Sequence, residues 1–188
     1  MIKNSNLILI IILIFIFNKT SHANEKKEII DNINNIETLK FSFIQISFDK
    51  EEVGECLLKR PHFLKCIYQD KNQKQQIVNK NNLVIYHKRY KKSYFYPAKR
   101  SYFLDILNKK KFENLILAGA ITQNNNNFEI KHIDENKGEI IFFFDLSNFD
   151  LKGWKITNLN GGQTIFNLNN VFKNQEINNK LFEIPSAS

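Results

Sequence analysis

The stretch GECLLKRPHFLKCIY, residues 54–68, decides the fold. Proline fixes its own φ and has no N–H to give to a ladder, so Lys59-Arg60-Pro61-His62 reads as a bend between two short strands. With the pairing centred on Pro61, Cys56 faces Cys66, Leu58 faces Leu64 and Gly54 faces Tyr68. Side chains alternate along a strand, so these six share one sheet face, and that face is almost wholly apolar. The opposite face carries Glu55, Leu57, Lys59, Phe63, Lys65 and Ile67, a mixed set. By the same parity Arg60 falls on the apolar face. Two readings stay open for it: a guanidinium aimed at the interior, or one that the turn twists out into water.

Upstream, residues 24–36 read as a helix, with Ile29, Ile30, Ile33 and Ile36 on one stripe and Asn24 as its N-cap. Residues 40–48 (KFSFIQISF) read as a strand rich in aromatic and β-branched residues, and Lys50-Glu51-Glu52 as the turn into the hairpin. Downstream, short strands are expected at residues 75–79, 83–87 and 94–96, with the charge cluster of residues 88–92 as a solvated turn. Pro97 ends the last of these, and Ser101 caps a helix over residues 102–107. Residues 112–120 (FENLILAGA) are apolar, of undecided state, and run into the polar residues 123–127.

Strands resume at residues 128–133 and 139–145, where Phe142, Phe143 and Phe144 make both faces apolar. Residues 151–159 form the next, Asn160-Gly161-Gly162 a hairpin turn, residues 164–172 another strand, and residues 181–184 a terminal one before Pro185. Hairpin connectivity implies an antiparallel sheet, and so many strands must curl. The expected architecture is therefore mainly β with α: an incomplete antiparallel β-barrel of roughly 10–11 strands, a half-barrel lidded by an N-terminal helix and a central helical insertion. Its inner face is either a filled core or a pocket.

The 188 residues suit one domain behind a leader. Lys3, the unbroken apolar run of residues 7–17 and Ser21-His22-Ala23 fit a signal peptide cleaved after Ala23. That run is shorter than the ~18–20 residues a membrane span needs. Residues 24–188 then form a single mature domain, and the loss of Lys3 and Lys19 lowers the formal charge from +8 to +6. A basic balance suits nucleic acid or an anionic membrane surface, but a chain dense in Asn, Lys and Ile also reflects an AT-rich coding sequence, and an exported protein rarely meets nucleic acid. Residue 24 is Asn and not Cys, so no thiol is placed for a lipid anchor. In an oxidising compartment Cys56 and Cys66 are either a disulfide or two small buried apolar residues. No Cys/His spacing suits a metal, and His62, His87 and His132 are scattered.

Four stretches together resemble the periplasmic outer-membrane lipoprotein carriers of the LolA family. They are FSFIQ at residues 41–45, GECLLKRPHF at 54–63, NLVIYH at 82–87, and WKITNLNGGQTIFNLNNVFKNQEINNKLFEIP at 154–185. The resemblance implies a half-barrel under helices, and a chaperone that binds the acyl chains of lipoproteins released from the inner membrane and carries them to the outer membrane. It implies no enzyme activity and no cofactor. The partners it implies are acylated lipoproteins, an inner-membrane lipoprotein-releasing ABC transporter complex, and an outer-membrane acceptor or the membrane itself. The protein would be a periplasmic monomer with no role in nucleic-acid binding.

The family's strand-end Arg-Pro arginine maps onto Arg60, implying an inward side chain that bonds the lid, residues 102–120, and holds the empty form closed. The lipid-binding residues expected with it are Leu58, Leu64, Cys66, Tyr68, Phe43, Tyr86, Phe103, Leu107, Phe166 and Leu168. The chain departs from the family pattern at residues 79–82, at Asn158, and at Cys66, where an inward aromatic is usual. The runner-up function keeps the fold and changes the partner, to a periplasmic lipid, glycolipid or envelope-sensing role. A lipid hydrolase would need a Gly-x-Ser-x-Gly turn, which is absent.

Overall fold

Apolar–polar alternation of period two, interrupted by turn residues, produces eleven antiparallel strands in one sheet. The computed structural model describes residues 21–185, so all but the last three residues of the leader expected over residues 1–23 lie outside the described part. The described residues open with helix α1 (Ser21–Asn34) and continue through β1 (Thr38–Ser47), β2 (Lys50–Lys59), β3 (Phe63–Tyr68), β4 (Lys74–Asn79), β5 (Asn82–His87) and β6 (Lys92–Pro97). Two helices follow, α2 (Phe103–Leu107) and α3 (Lys109–Ala118). Then come β7 (Ala120–Gln123), β8 (Asn127–Asp134), β9 (Gly138–Asp145), β10 (Leu151–Thr157) and β11 (Gln163–Lys173).

The sheet order is β6-β5-β4-β3-β2-β1-β11-β10-β9-β8-β7, so the sheet is open, a half-barrel with β6 and β7 as its two edges. This order explains the helices. The chain leaves the sheet at one edge and re-enters at the other, so residues 98–119 must cross the whole concave face. Backbone that crosses an apolar surface has to satisfy its own hydrogen bonds, which a helix does. Ile106, Leu107, Phe112 and Ile116 then point into the sheet and join Phe41, Phe43, Phe128, Phe142, Phe144 and Trp154 in one core. Helix α1 closes the same face with Ile29, Ile33 and, just beyond its end, Ile36.

The central hairpin has the expected register: Gly54↔Tyr68, Cys56↔Cys66 and Leu58↔Leu64. Gly54 is needed there, because a Cβ would stand 2.2 Å from the Ile67 carbonyl and 2.8 Å from the Phe43 ring. Strand β9 alternates buried and half-buried residues, with Phe142 and Phe144 inside and Phe143 on the convex side.

Five local expectations are corrected. Ser101 does not cap a helix: α2 begins at Phe103 with Tyr102 at its N-cap, and the Ser101 hydroxyl donates instead to the Ala98 carbonyl at 2.8 Å. Helix α1 starts at Ser21 and ends at Asn34, so Asn24 is an interior residue and not the cap. The β1–β2 turn is Phe48-Asp49, not residues 50–52; both have positive φ, the conformation of a two-residue hairpin whose twist matches the strands. The undecided segment 112–120 is the body of α3 followed by the unforeseen edge strand β7. The terminal strand expected at residues 181–184 is instead a 3-10 turn, Asn179–Phe182. Both neighbours of β1 are already taken by β2 and β11, so no central slot remains. The segment lies on the convex face, where the buried Phe182 stacks on Phe63 at 5.3 Å between centroids.

Candidate functional site

Arg60 is the centre of the site, and it points inward: it is 8% exposed. Its Nη1 donates to the Ile33 carbonyl at 2.7 Å and reaches the Ile36 carbonyl at 3.4 Å, while Nη2 reaches the Ile106 carbonyl at 3.4 Å. These carbonyls sit at the C-terminal end of α1, just beyond it, and in α2. A helix C-terminus carries unpaired carbonyls and partial negative charge, so it suits a guanidinium. The sequence reading put the acceptors in residues 102–120; two of the three come instead from the N-terminal helix region, and Arg60 bridges both lid elements. Nε finds no partner. Burial pushes the guanidinium pKa down to about 10, opposed by the nearby Glu37 carboxylate. The charge is thus kept at neutral pH at a real desolvation cost.

Around Arg60 lies an apolar cavity. Its floor is Leu39, Phe41, Leu58, Leu64, Trp154 and Leu168 from the sheet; its roof is Ile33 and Ile36 from the α1 region, Phe103, Ile106 and Leu107 from α2, and Phe112 from α3. Phe149 and Leu151 complete one side. Only about 30 Å³ of space remains between floor and roof. Pockets that hold drug-sized ligands run to about 300–1,000 Å³. The structure is therefore the closed, nearly filled arrangement, and a long apolar ligand enters only if the helices part from the sheet.

Of the expected residues, Arg60, Leu58, Leu64, Phe103, Leu107 and Leu168 meet at this cavity. Phe43, Cys66, Tyr68 and Phe166 share the concave face but belong to packed core. Phe43 stacks on Phe166 at 4.5 Å, Phe166 on Trp154 at 4.7 Å, and Tyr68 meets Phe43 edge-on at 5.0 Å. The Tyr68 hydroxyl hydrogen-bonds Gln45 Oε1 at 2.7 Å, and burial raises its pKa, helped by Glu52 and Asp70. Cys66 is joined to Cys56 in a disulfide, which fills the position where an aromatic was expected. Tyr86 is a correction. It pairs with Gln75 and through it with Ile67, so ladder parity puts it on the convex face, away from the cavity.

Several residues of the site were not foreseen. Phe41 and Trp154 share the parity of Phe43 and Phe166 and were recoverable from alternation. Ile33 and Ile36 were visible as a helix stripe, but not as a roof. The ties that hold the roof had no sequence signal. Lys26 Nζ donates to the Leu117 and Gly119 carbonyls at 2.9 and 2.7 Å, and Lys109 Nζ to the Asn34 carbonyl at 2.7 Å, so α1 and α3 run side by side. Tyr102 Oη donates to the Gly138 carbonyl at 2.7 Å, and the buried Asp105 pairs with Lys137. Burial and the carboxylates of Asp134, Asp105 and Glu139 push the Tyr102 hydroxyl up to about 12. Among the described residues no group of His, Cys, Asp and Glu is placed to hold a metal ion, and no helix is long and apolar enough to cross a membrane.

A family model described as outer membrane lipoprotein carrier protein LolA matches residues 34–185. No curated protein matches the chain. Among solved structures it is similar to an uncharacterized conserved protein from Thermus thermophilus, at 4% identity and a TM-score of 0.56, covering 87% of this chain and 94% of that one. It is also similar to a DUF1329 family protein from Desulfovibrio piger, at 5% identity and a TM-score of 0.53, covering 88% and 98%. A LolA superfamily protein from Nitrosomonas europaea aligns at 8% identity and a TM-score of 0.45, covering 84% and 97%. At such identities the first two likenesses speak for the fold.

Proposed function

The chain belongs to the LolA family of outer membrane lipoprotein carrier proteins, and on that premise we propose that it binds the acyl chains of lipoproteins released from the inner membrane and carries them through the periplasm to the outer membrane. The observation that carries this reading is Arg60, a buried charge that ties both lid elements over an apolar cavity closed to about 30 Å³. Burying one acyl methylene contributes about 0.8 kcal/mol, so a chain of ordinary length repays the parting of the helices. Filling the cavity separates Arg60 from its carbonyls without giving it water. The filled form is thus held below its full hydrophobic affinity, and the cargo is released when an acceptor offers a better apolar surface. Cavity opening, rather than any covalent chemistry, is the working step.

The partners that complete this cycle are an inner-membrane lipoprotein-releasing ABC transporter complex and an outer-membrane acceptor or the membrane itself. The carrier acts as a monomer after cleavage behind Ala23. Mass spectrometry of the protein purified from native periplasm is the direct test. Co-purification of triacylated lipoprotein, and its loss on incubation with outer-membrane vesicles, is the expected result. Protein that never carries acylated cargo would overturn the reading.

A further inference from the structure

The edge strand β6 and the turn before it form a surface that acyl carriage does not use. Residues 88–99 read KRYKKSYFYPAK, and no acidic residue occurs from position 88 until Asp105. Lys88, Arg89, Lys91, Lys92 and Lys99 are all exposed. Among the described residues none of these five makes an ion pair. Set among them, Tyr90, Tyr94, Phe95 and Tyr96 are 55%, 48%, 64% and 50% exposed. Edge strands are ordinarily protected by charge or proline, and Lys92 and Pro97 at the two ends do that. Three consecutive exposed rings between them do the opposite.

From this arrangement we infer that β6 and its basic turn are a docking edge for an anionic bilayer surface. Lysine and arginine heads attract acidic headgroups, and tyrosine and phenylalanine rings settle at the headgroup–acyl boundary. The rings lie on both faces of the strand. Phe95 pairs with Val84 on the convex side, while Tyr94 and Tyr96 pair with Ile85 and Leu83 on the concave side. A protein strand added to this edge would take up its backbone groups and leave rings on one face or the other in water. A bilayer interface receives both faces at once. The edge also leads directly into the lid: β6 ends at Pro97, the buried Ala98 begins a single 3-10 turn, and α2 starts at Phe103. Docking by this strand brings the roof of the cavity to the membrane surface.

The test is co-sedimentation of the purified protein, free of cargo, with vesicles of phosphatidylcholine alone and of phosphatidylcholine with phosphatidylglycerol. Binding is expected only to the anionic vesicles. It should fade as salt rises from about 0.1 to 1 M, where the screening length shrinks from about 10 to 3 Å. Each cation removed near a charged surface should weaken binding by about fivefold. A variant with Lys88, Arg89, Lys91 and Lys92 all changed to Gln should therefore lose it entirely. Phe95→Ser, at an exposed position that leaves the core untouched, should weaken it by tenfold or more. Changing Lys27, Lys40, Lys110 and Lys180 to Gln removes the same net charge elsewhere and should weaken it far less. Circular dichroism and melting of each variant separate misfolding from lost docking. Absence of binding to anionic vesicles, equal loss in both lysine quartets, or an edge that captures a protein strand and leaves vesicle binding unchanged would each overturn the inference. Because no cargo is present, such an outcome leaves acyl carriage untouched.

Discussion

Replacing Arg60 with Leu should slow cargo release while leaving the fold almost as stable as before. In the closed form the guanidinium makes one short bond, 2.7 Å to the Ile33 carbonyl, and two at 3.4 Å. Only the short bond counts fully, and a hydrogen bond from a charged donor contributes about 1.5–3 kcal/mol. Against it stands burial, which lowers the guanidinium pKa from its ordinary arginine value to about 10. A shift of that size corresponds to a cost on the order of 3 kcal/mol for keeping the charge. That cost applies in full below pH 10 and is relieved as the pH rises above 10 towards the ordinary arginine value, so it is entire at neutral pH. Gain and cost nearly cancel, and buried ion networks are often replaced by apolar residues without loss of stability.

The asymmetry lies in the filled form. On the proposed function, acyl chains in the cavity would part the helices from the sheet, taking the carbonyls away but keeping water out. Arg60 then retains its desolvation cost and loses about 1.5–3 kcal/mol of bonding, a factor of about 10–150 in the ratio of filled to empty protein. Leucine carries neither term. Release of a fluorescent acyl lipid into acceptor vesicles should therefore slow by one to two orders of magnitude in Arg60→Leu, with uptake preserved and the melting temperature within a few degrees of the parent. Arg60→Lys should fall between, because an ammonium is a point charge and does not bridge carbonyls on two elements. Release from Arg60→Leu as fast as from the parent would falsify the latch, and a collapse of the melting temperature would recast Arg60 as a structural residue.

Other outcomes can be checked independently. Alkylation of native protein under non-reducing conditions should label neither Cys56 nor Cys66, and changing both to Ala should lower stability by about 2–3 kcal/mol in urea melts, the loop-closure term for a separation of 10 residues. Gly54→Ala should destabilise by about 1–3 kcal/mol, because the added Cβ meets the Ile67 carbonyl at 2.2 Å; an unchanged urea midpoint would show that the hairpin can spread. Hydrogen bonds from the Ser147 hydroxyl and amide and the Asn148 amide hold the Asp145 carboxyl down to about 2 from its ordinary 3.8. Its folded pKa lies below the unfolded one, so its support of the turn that carries Phe149 is complete above about pH 4 and fades as the pH falls through 2. A carboxyl NMR titration of Asp145 with its midpoint near 4 would contradict that turn.

The hairpin register, the inward parity of Arg60 and the half-barrel were legible in residues 54–68 and in the run of alternating strands, because a period of two and a proline-marked bend are local properties. The same parity was sufficient to place Phe41 and Trp154 with Phe43 and Phe166, and, followed through the Ile67–Gln75–Tyr86 ladder, to keep Tyr86 off the concave face. What alternation cannot supply is which part of an apolar face is filled by its own rings and which is left for the roof. The packing of Phe43, Tyr68, Phe166 and Trp154 into a stack is a matter of ring position across four strands, and it pushes the cavity to the Leu58–Leu64 end of the hairpin. Nor does sequence say where a buried cation finds its acceptors. Ile33, Ile36 and Ile106 offer Arg60 their backbone carbonyls, which every residue type carries alike. Sequence alone therefore determined that the half-barrel has an apolar inside and that Arg60 falls on that face by parity; only the tertiary structure decided that its guanidinium turns inward and what it holds, because main-chain acceptors leave no mark in the side-chain pattern.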